Sequence, residues 1–120
     1  MRIEERQVDG KVILDLKPPR EGQFSKELFI PQIESILEAG HRQIILNLSA
    51  LRWMNSSTMG LLMSAHRISD AADARMVFAG ANGRIVDIMR ITGMLQVWKT
   101  YPDVESAIAS FDESEEASAG

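Results

Sequence analysis

The sequence IILNLSALRWMNSSTMGLLMSAH, residues 44–66, decides the fold of this chain. Its opening apolar run predicts a strand that is buried on both faces, as in the middle of a parallel sheet. A short turn follows, and Asn55, Ser56 and Ser57 then begin a helix that extends to about residue 72. The three polar side chains are therefore expected at a helix N-terminus that follows the end of a buried strand.

The segments around this stretch predict further strands and helices in alternation. Residues 3–8 and 11–16 form a hairpin, because Asp9-Gly10 is the dipeptide typical of a two-residue turn. The other predicted strands are residues 43–48, 75–79 and 96–100, and the later helices are residues 83–91, capped by Asn82, and 102–111. We expect an α/β fold with a mixed, mostly parallel sheet of about five strands, opened by an antiparallel hairpin, and about four helices.

The start of the first helix has two interpretations. The loop KPPREGQF, residues 17–24, precedes it, and Ser25 is a good N-cap residue with Phe24 and Phe29 spaced as a hydrophobic staple. Pro31 is costly inside a helix, at roughly 3 kcal/mol. The helix therefore begins either near Ser25 or at Pro31.

The composition restricts the class of protein. The 120 residues suffice for one domain, there is no cysteine, and the net charge is −4 without a basic cluster, so we expect no nucleic-acid partner. No apolar run approaches the roughly 20 residues that span a bilayer, and the N-terminus does not resemble a signal peptide, so we expect no membrane insertion and a cytoplasmic protein. Residues 1–111 should form the domain and the acidic residues 112–120 a disordered tail.

The serine turn has two interpretations. It could act only as a helix cap, with Asn55 and the hydroxyls satisfying backbone N–H groups. It could also present a serine to another protein. A phosphate on Ser56 would lie at a helix N-terminus, where the N–H groups and the helix dipole stabilise negative charge.

The helix that follows carries apolar residues on more than one side. The stripe expected to face the sheet consists of Leu61, Ala65, Ile68 and Ala72. Leu62 is expected to be buried as well. A partner-facing role and a buried one are both open for Met59, Met63 and His66, because methionine adapts to varied surfaces. Trp53, directly before the serine turn, is a further candidate for partner contact.

The segment LNLSALRWMNSSTMGLLMSAH resembles the STAS domain, named for sulfate transporters and anti-sigma factor antagonists. The later segment NGRIVDIMRITGMLQVWKTYPDVESAIASF is also similar, with Thr92-Gly93-Met94 as the step that ends the third helix and Ala107 in the last helix. The resemblance covers roughly residues 1–111.

The resemblance implies a partner-switching regulator without catalytic activity. Ser56 matches the serine that a kinase, also the anti-sigma factor, phosphorylates in the single-domain antagonists, and Ser57 and Thr58 are the fallback positions. The unmodified form binds the anti-sigma factor, phosphorylation breaks this contact, and a serine phosphatase restores it. The expected docking residues are Trp53, Asn55, Ser56, Ser57, Met59, Met63 and His66. The oligomeric state is left open between a monomer and a weak dimer.

Three departures from the family pattern motivate an alternative. Asn55 stands where the family usually has aspartate, Thr58 stands where glycine is usual, and residues 17–24 replace a glycine-containing step. The alternative is a STAS adaptor that does not switch, an accessory subunit of a transport complex or a signalling scaffold.

A small-ligand-binding protein or an enzyme would need convergent polar groups, and the sequence suggests no such set. His41 and His66 lack a second ligand at metal-binding spacing, and no nucleophile elbow is present. We therefore predict no catalytic residue, no cofactor and no metal.

Overall fold

The computed structural model describes residues 2–18 and 26–119, with side chains for residues 2–18 and 29–112. Its strands are β1 (Arg2–Val8), β2 (Lys11–Lys17), β3 (Gln43–Asn47), β4 (Arg75–Ala79) and β5 (Thr100–Tyr101). They form one sheet in the order β1-β2-β3-β4-β5, in which β1 and β2 are antiparallel and the remaining neighbours are parallel. The predicted fold class is confirmed.

The helices are α1 (Lys26–Glu38), α2 (Ser56–Ala71), α3 (Gly83–Ile91) and α4 (Val104–Ala119). Residues of α1, α2 and α3 share one buried cluster with one face of the sheet, whereas α4 packs through Ala107 and Phe111 against the other face. Among the described residues, no helix combines the length and apolar character needed to cross a membrane.

The central strand β3 contributes to both layers, as its apolar run predicts. Ile44 and Leu46 belong to the cluster beneath α1, α2 and α3, and Ile45 belongs to the cluster beneath α4. All three side chains are fully buried. Because its side chains alternate between the faces, β3 holds the two helical layers on one sheet.

The hairpin between β1 and β2 is also confirmed. Asp9 and Gly10 have φ angles of 52° and 79°. Positive φ at both central residues is the requirement of a type I′ turn, which matches the right-handed twist of the flanking strands.

The structure decides between the two predicted starts of α1, near Ser25 or at Pro31. The helix is already formed at Lys26 and passes through Pro31, so the interpretation that it begins at Pro31 is wrong. Phe29 and Ile33 are fully buried on either side of the proline, which is itself exposed, and their packing offsets the lost backbone bond. Ser25 and Phe24 lie outside the described residues.

The predicted strand at residues 96–100 is wrong in its position. Residues Met94–Gln96 form a 3₁₀ turn, and only Thr100 and Tyr101 pair with β4. Trp98 is turned into the core, where its ring stacks on Phe78 with 4.3 Å between the ring centroids. Because Trp98 packs on Phe78 in the core, the strand begins several residues later in the sequence than predicted.

The last helix also differs from its predicted bounds of 102–111. It begins at Val104, because the Asp103 carboxylate accepts a hydrogen bond from the Ser106 N–H at 2.7 Å and caps it. Its backbone continues to Ala119, into the segment that we expected to be a disordered tail. Lys11 of β2, with a side chain only 4% exposed, forms an ion pair of 2.8 Å with Asp112.

A polar network joins the carboxyl ends of β2 and β3. The Asp15 carboxylate accepts hydrogen bonds from the Arg6 guanidinium at 2.8 Å and from the Asn47 amide at 2.7 Å. Burial raises the pKa of Asp15, but the hydrogen bonds from Arg6 and Asn47 outweigh it and hold the pKa below its ordinary value. The amide oxygen of Asn47 accepts the Ser49 N–H at 3.2 Å, so the same side chain fixes the start of the next loop.

The loops after β3 and β4 approach each other closely at Gly80. A Cβ atom at this position would lie 2.9 Å from the Ser49 Cβ and 3.1 Å from the Asn47 Oδ1. Gly80 also has a φ of 75°, which residues with side chains rarely adopt. The position therefore requires glycine for both conformation and space.

We expect Gly80→Ala to destabilise the protein more than Gly40→Ala. Gly40 also has a positive φ, of 96°, but a Cβ atom added there would meet nothing within 4 Å, so its substitution reports backbone strain alone. The contact with Ser49 should add about 1–3 kcal/mol to the loss at Gly80. Urea unfolding of both variants measures this difference, and equal losses would contradict the close approach.

We expect the stability lost in Asp15→Asn to depend on pH. Because the folded pKa of Asp15 is depressed, its carboxylate stabilises the fold above the unfolded pKa of about 3.9, and this contribution is lost as the pH falls through the lower folded pKa. The deficit should be about 1 kcal/mol near pH 7 and should shrink below about pH 4.

Unfolding free energies from pH 7 to pH 3 test this expectation. In an Arg6→Ala background the same substitution should cost less, because the main hydrogen-bond donor is absent. A deficit that grows on acidification would show that the sign is wrong.

Candidate functional site

The serine turn has the predicted cap. Asn55 has extended backbone angles, and its side-chain oxygen accepts a hydrogen bond of 2.8 Å from the Thr58 N–H. Its carbonyl oxygen accepts the Met59 N–H at 3.0 Å, the first bond of the helical ladder. Asn55 is therefore the N-cap of α2 and fixes where the helix begins.

Ser56 and Ser57 are exposed in the first turn of α2. The first N–H groups of a helix have no partner within it, and Asn55 satisfies the one at Thr58, which leaves those of Ser56 and Ser57 without a partner in the helix. The first turn contains no acidic residue. This helix end can therefore accommodate a negative group on the Ser56 hydroxyl without a like charge in the same turn.

Thr58 differs from the two serines because it is only 8% exposed. Its side chain is enclosed at the point where the family usually has glycine. Its low exposure makes Thr58 a poorer substrate position than Ser56 or Ser57, which are both exposed in the same turn.

Trp53 lies immediately before the turn and is 58% exposed. Its neighbours in the chain, Leu51 and Met54, are 8% and 5% exposed and anchor the loop in the core. The loop therefore presents a large aromatic side chain on the protein surface, three residues before Ser56. Trp98, the other tryptophan, is buried.

The remaining predicted docking residues occupy different environments. Met59 is only 5% exposed and belongs to the core, so it offers no docking surface in this conformation. Met63 is half-buried and lies two helical turns from Ser56 on the same side of α2. His66 is about 15 Å further along the helix axis than Ser56 and packs near Phe78 and Trp98. The structure thus brings Trp53, Asn55, Ser56 and Ser57 together and separates them from His66.

The buried face of α2 is rotated from the predicted one. The fully or nearly buried residues of this helix are Thr58, Met59, Leu62, Ala65 and Ser69. Leu61, Ile68 and Ala72, which we assigned to the sheet-facing stripe, are half-buried at its edge. The predictions for Ala65 and Leu62 are confirmed. Both candidate stripes contain apolar residues, and packing on the sheet selects between them.

A shallow depression beside Trp53 was not foreseen from the sequence. It has a volume of about 420 Å³ and is lined by Trp53 together with Arg84, Asp87 and Ile88 of α3. Ile91, one turn beyond Ile88, is 84% exposed. A signal was present in GRIVDIMRI: Ile85 and Met89 form the buried face, Ile88 lies half-buried at its edge, and Ile91 has no place in the core.

Asn82 has a larger role than the predicted cap of α3. Its side-chain oxygen accepts the Ile85 N–H at 3.0 Å, as expected. Its amide nitrogen also donates to the carbonyl oxygens of Leu51 at 3.1 Å and Arg52 at 3.0 Å. The N-terminus of α3 is thereby joined to the loop that carries Trp53.

No metal-binding cluster accompanies this site in the part of the chain that the structure describes, since no three His, Cys, Asp or Glu side chains converge there. Hydroxyls at a helix N-terminus, an exposed tryptophan and a shallow depression form a surface suited to contact with another macromolecule.

Comparison with known proteins identifies the family. The STAS domain matches residues 23–107, and no curated protein matches the chain in sequence. A variant of RsbS from Moorella thermoacetica is 12% identical to this chain with a TM-score of 0.80, and the match covers 92% of this chain and 97% of that protein. The phosphorylated Bacillus cell fate determinant SpoIIAA is 18% identical with a TM-score of 0.69, and the match covers 92% of this chain and 99% of that protein. An anti-sigma factor antagonist from Mycobacterium paratuberculosis is 12% identical with a TM-score of 0.75, and the match covers 91% of this chain and 92% of that protein.

At these identities the structural likeness concerns the fold, in which the five-stranded mixed sheet and the four helices correspond. The family match spans most of the chain, from before α1 into α4, and includes the serine turn and the Thr92-Gly93-Met94 step. The chain therefore belongs to the STAS domain family.

Proposed function

We propose that this protein is an anti-sigma factor antagonist that acts by partner switching in the cytoplasm and has no catalytic activity of its own. In its unmodified form it binds an anti-sigma factor that is also a serine kinase. Phosphorylation of Ser56 ends this binding, and a serine phosphatase restores it. The proposal agrees with the family and with the antagonists among the similar structures.

The observation that carries the proposal is the exposed Ser56 at the N-terminus of α2. The adjacent N–H groups of Ser56 and Ser57 can donate to phosphate oxygens, so the modified domain should remain folded. The phosphate adds about −1.5 to −2 charge at pH 7. A partner that had packed against the neutral hydroxyl would then have to bury this charge, and its affinity would fall.

The surface around Ser56 suits a protein partner. Trp53 is exposed next to the serine turn, and the depression beside it combines Ile88 with the charged side chains of Arg84 and Asp87. Exposed aromatic residues beside a small cavity are typical of the residues that dominate interface energies. Met63 extends the same side of α2 away from Ser56.

We expect Ser56→Ala to abolish phosphorylation by the cognate kinase and Ser57→Ala to leave it intact. The matched pair is informative because both serines are exposed in the same turn. Each anti-sigma factor kinase of the source organism is incubated with the protein and ATP, and the modified residue is located by peptide mass spectrometry. Phosphate on Ser57 in the wild type would move the switch to that residue.

Binding provides the second half of this test. Ser56→Asp should weaken the complex with that kinase at least about tenfold, or 1.4 kcal/mol, in calorimetric titrations, whereas Ser56→Ala should bind like the wild type. Unchanged affinity of Ser56→Asp would contradict the switch.

A second candidate function is a STAS adaptor that does not switch. Asn55 favours it, because the neutral amide replaces the charge that the family usually has beside the phosphoacceptor, and the enclosed Thr58 favours it because it fills the place of the usual glycine. An adaptor would form a stable complex that survives both Ser56→Ala and Ser56→Asp, so the binding experiment distinguishes the two functions.

A further inference from the structure

The loop between β3 and α2 is held from outside by one side chain. Asn82, about 30 positions further along the chain, donates hydrogen bonds of 3.1 Å and 3.0 Å to the carbonyl oxygens of Leu51 and Arg52. In the described part of the chain, the carbonyl oxygens of Leu51 and Arg52 accept no other hydrogen bond. They fall immediately before Trp53, at the exposed centre of the loop.

The loop has further attachments on both sides of Arg52 and Trp53. Leu48 donates its N–H to the Ala79 carbonyl at 2.8 Å, and the Leu51 N–H returns to the Leu48 carbonyl at 3.0 Å. The side chains of Leu51 and Met54, on either side of Arg52 and Trp53, are buried and anchor the loop in the core. Between these points the chain has the Asn82 amide as its polar attachment to α3. Because Trp53 and α3 together line the depression, this amide contributes to the relative position of its two walls, beside the packing of Leu51 and Met54 in the core.

We propose that Asn82 is a positioning residue that fixes Trp53 against α3 and thereby forms the docking surface beside Ser56. This inference rests on the proposed function, because it concerns the surface that the kinase would recognise. Asn82 does not carry the modification and acts through the backbone that presents Trp53. Its role is additional to capping α3.

The chemistry requires asparagine rather than any capping residue. Serine, aspartate and asparagine serve comparably as N-caps, since each offers an oxygen to the Ile85 N–H. Only asparagine among them also supplies two N–H donors from the same side chain. Aspartate would place a carboxylate oxygen against the carbonyls of Leu51 and Arg52 and repel them, and serine would leave both without their donor.

Native-state proteolysis tests the inference directly. Trypsin can cleave after the exposed Arg52, inside the held segment. Asn82→Ser keeps the cap and loses both donors, so cleavage there should accelerate about tenfold, which corresponds to about 1.4 kcal/mol of local opening free energy. Asn82→Asp should accelerate cleavage at least as much.

Two controls separate local release from general loss of stability. Cleavage after Arg67, within α2, should keep its wild-type rate in Asn82→Ser, because global unfolding would expose both bonds equally. Asp103→Ala removes the comparable cap of α4, where Asp103 accepts the Ser106 N–H, and should not change cleavage after Arg52. Unchanged cleavage after Arg52 in Asn82→Ser, or equal acceleration at Arg67, would overturn the inference.

Kinase assays connect the loop to docking. For a kinase that phosphorylates the wild type, Asn82→Ser should raise KM several-fold and leave kcat nearly unchanged, because the docking surface is disturbed and the Ser56 hydroxyl is not. Equal KM values would overturn the positioning role while leaving the proposed function intact. If no kinase modifies the wild type, the proposed function fails, and the cleavage rates alone decide whether Asn82 fixes the loop.

Discussion

The burial of β3 on both faces is the constraint on which the rest of the structure depends. A strand in this position needs hydrogen-bonded neighbours on both sides and helices above and below, and β2 and β4 provide the neighbours in parallel register. Parallel strands end at the same edge of a sheet. The loops that follow β3 and β4 must therefore emerge side by side, and the candidate site lies in the first of them.

This proximity explains why the site depends on residues from the next loop. Gly80 lets the two loops approach to a distance that a side chain would prevent, and Asn82 joins them by hydrogen bonds. Asn47 turns the chain at the end of β3 through its own bonds to Asp15 and Ser49. The exposed serines are thus supported by a framework of short polar contacts whose members are distant in sequence.

Much of this arrangement could be predicted from local patterns. The Asp9-Gly10 turn, the doubly buried β3 and the Asn55 cap each depend on a few adjacent residues, and all three were predicted correctly. The face of α2 was not, because apolar residues occupy both candidate stripes and only contact with the sheet selects between them. The short β5 was misplaced for a similar reason: pairing with Phe78 and Ala79 and the burial of Trp98 define it, not its own composition.

The candidate site shows the same division. Trp53 and Ser56 follow from the sequence around one turn, whereas the part played by Asn82 depends on two carbonyl groups about thirty residues away. An asparagine that caps a helix with its side-chain oxygen has the same local sequence pattern whether or not its amide nitrogen donates hydrogen bonds to a distant loop. Met59 stayed open between a buried and a partner-facing position, because only the packing of α2 on the sheet decides that its side chain is buried.

The ion pair between Lys11 and Asp112 has a consequence for how this domain can be joined to others. Lys11 is almost fully buried, and its partner lies one residue beyond Phe111, the last core residue of α4. Ending the unit at Phe111 would remove the carboxylate that pairs with this ammonium group and leave it the Asp9 carbonyl, at 3.4 Å, as an acceptor, which should lower the stability of the domain. A gene fusion that reuses this domain as a module should therefore retain the chain through Asp112, because the last residue that stabilises the domain by its charge lies beyond the last residue of the hydrophobic core.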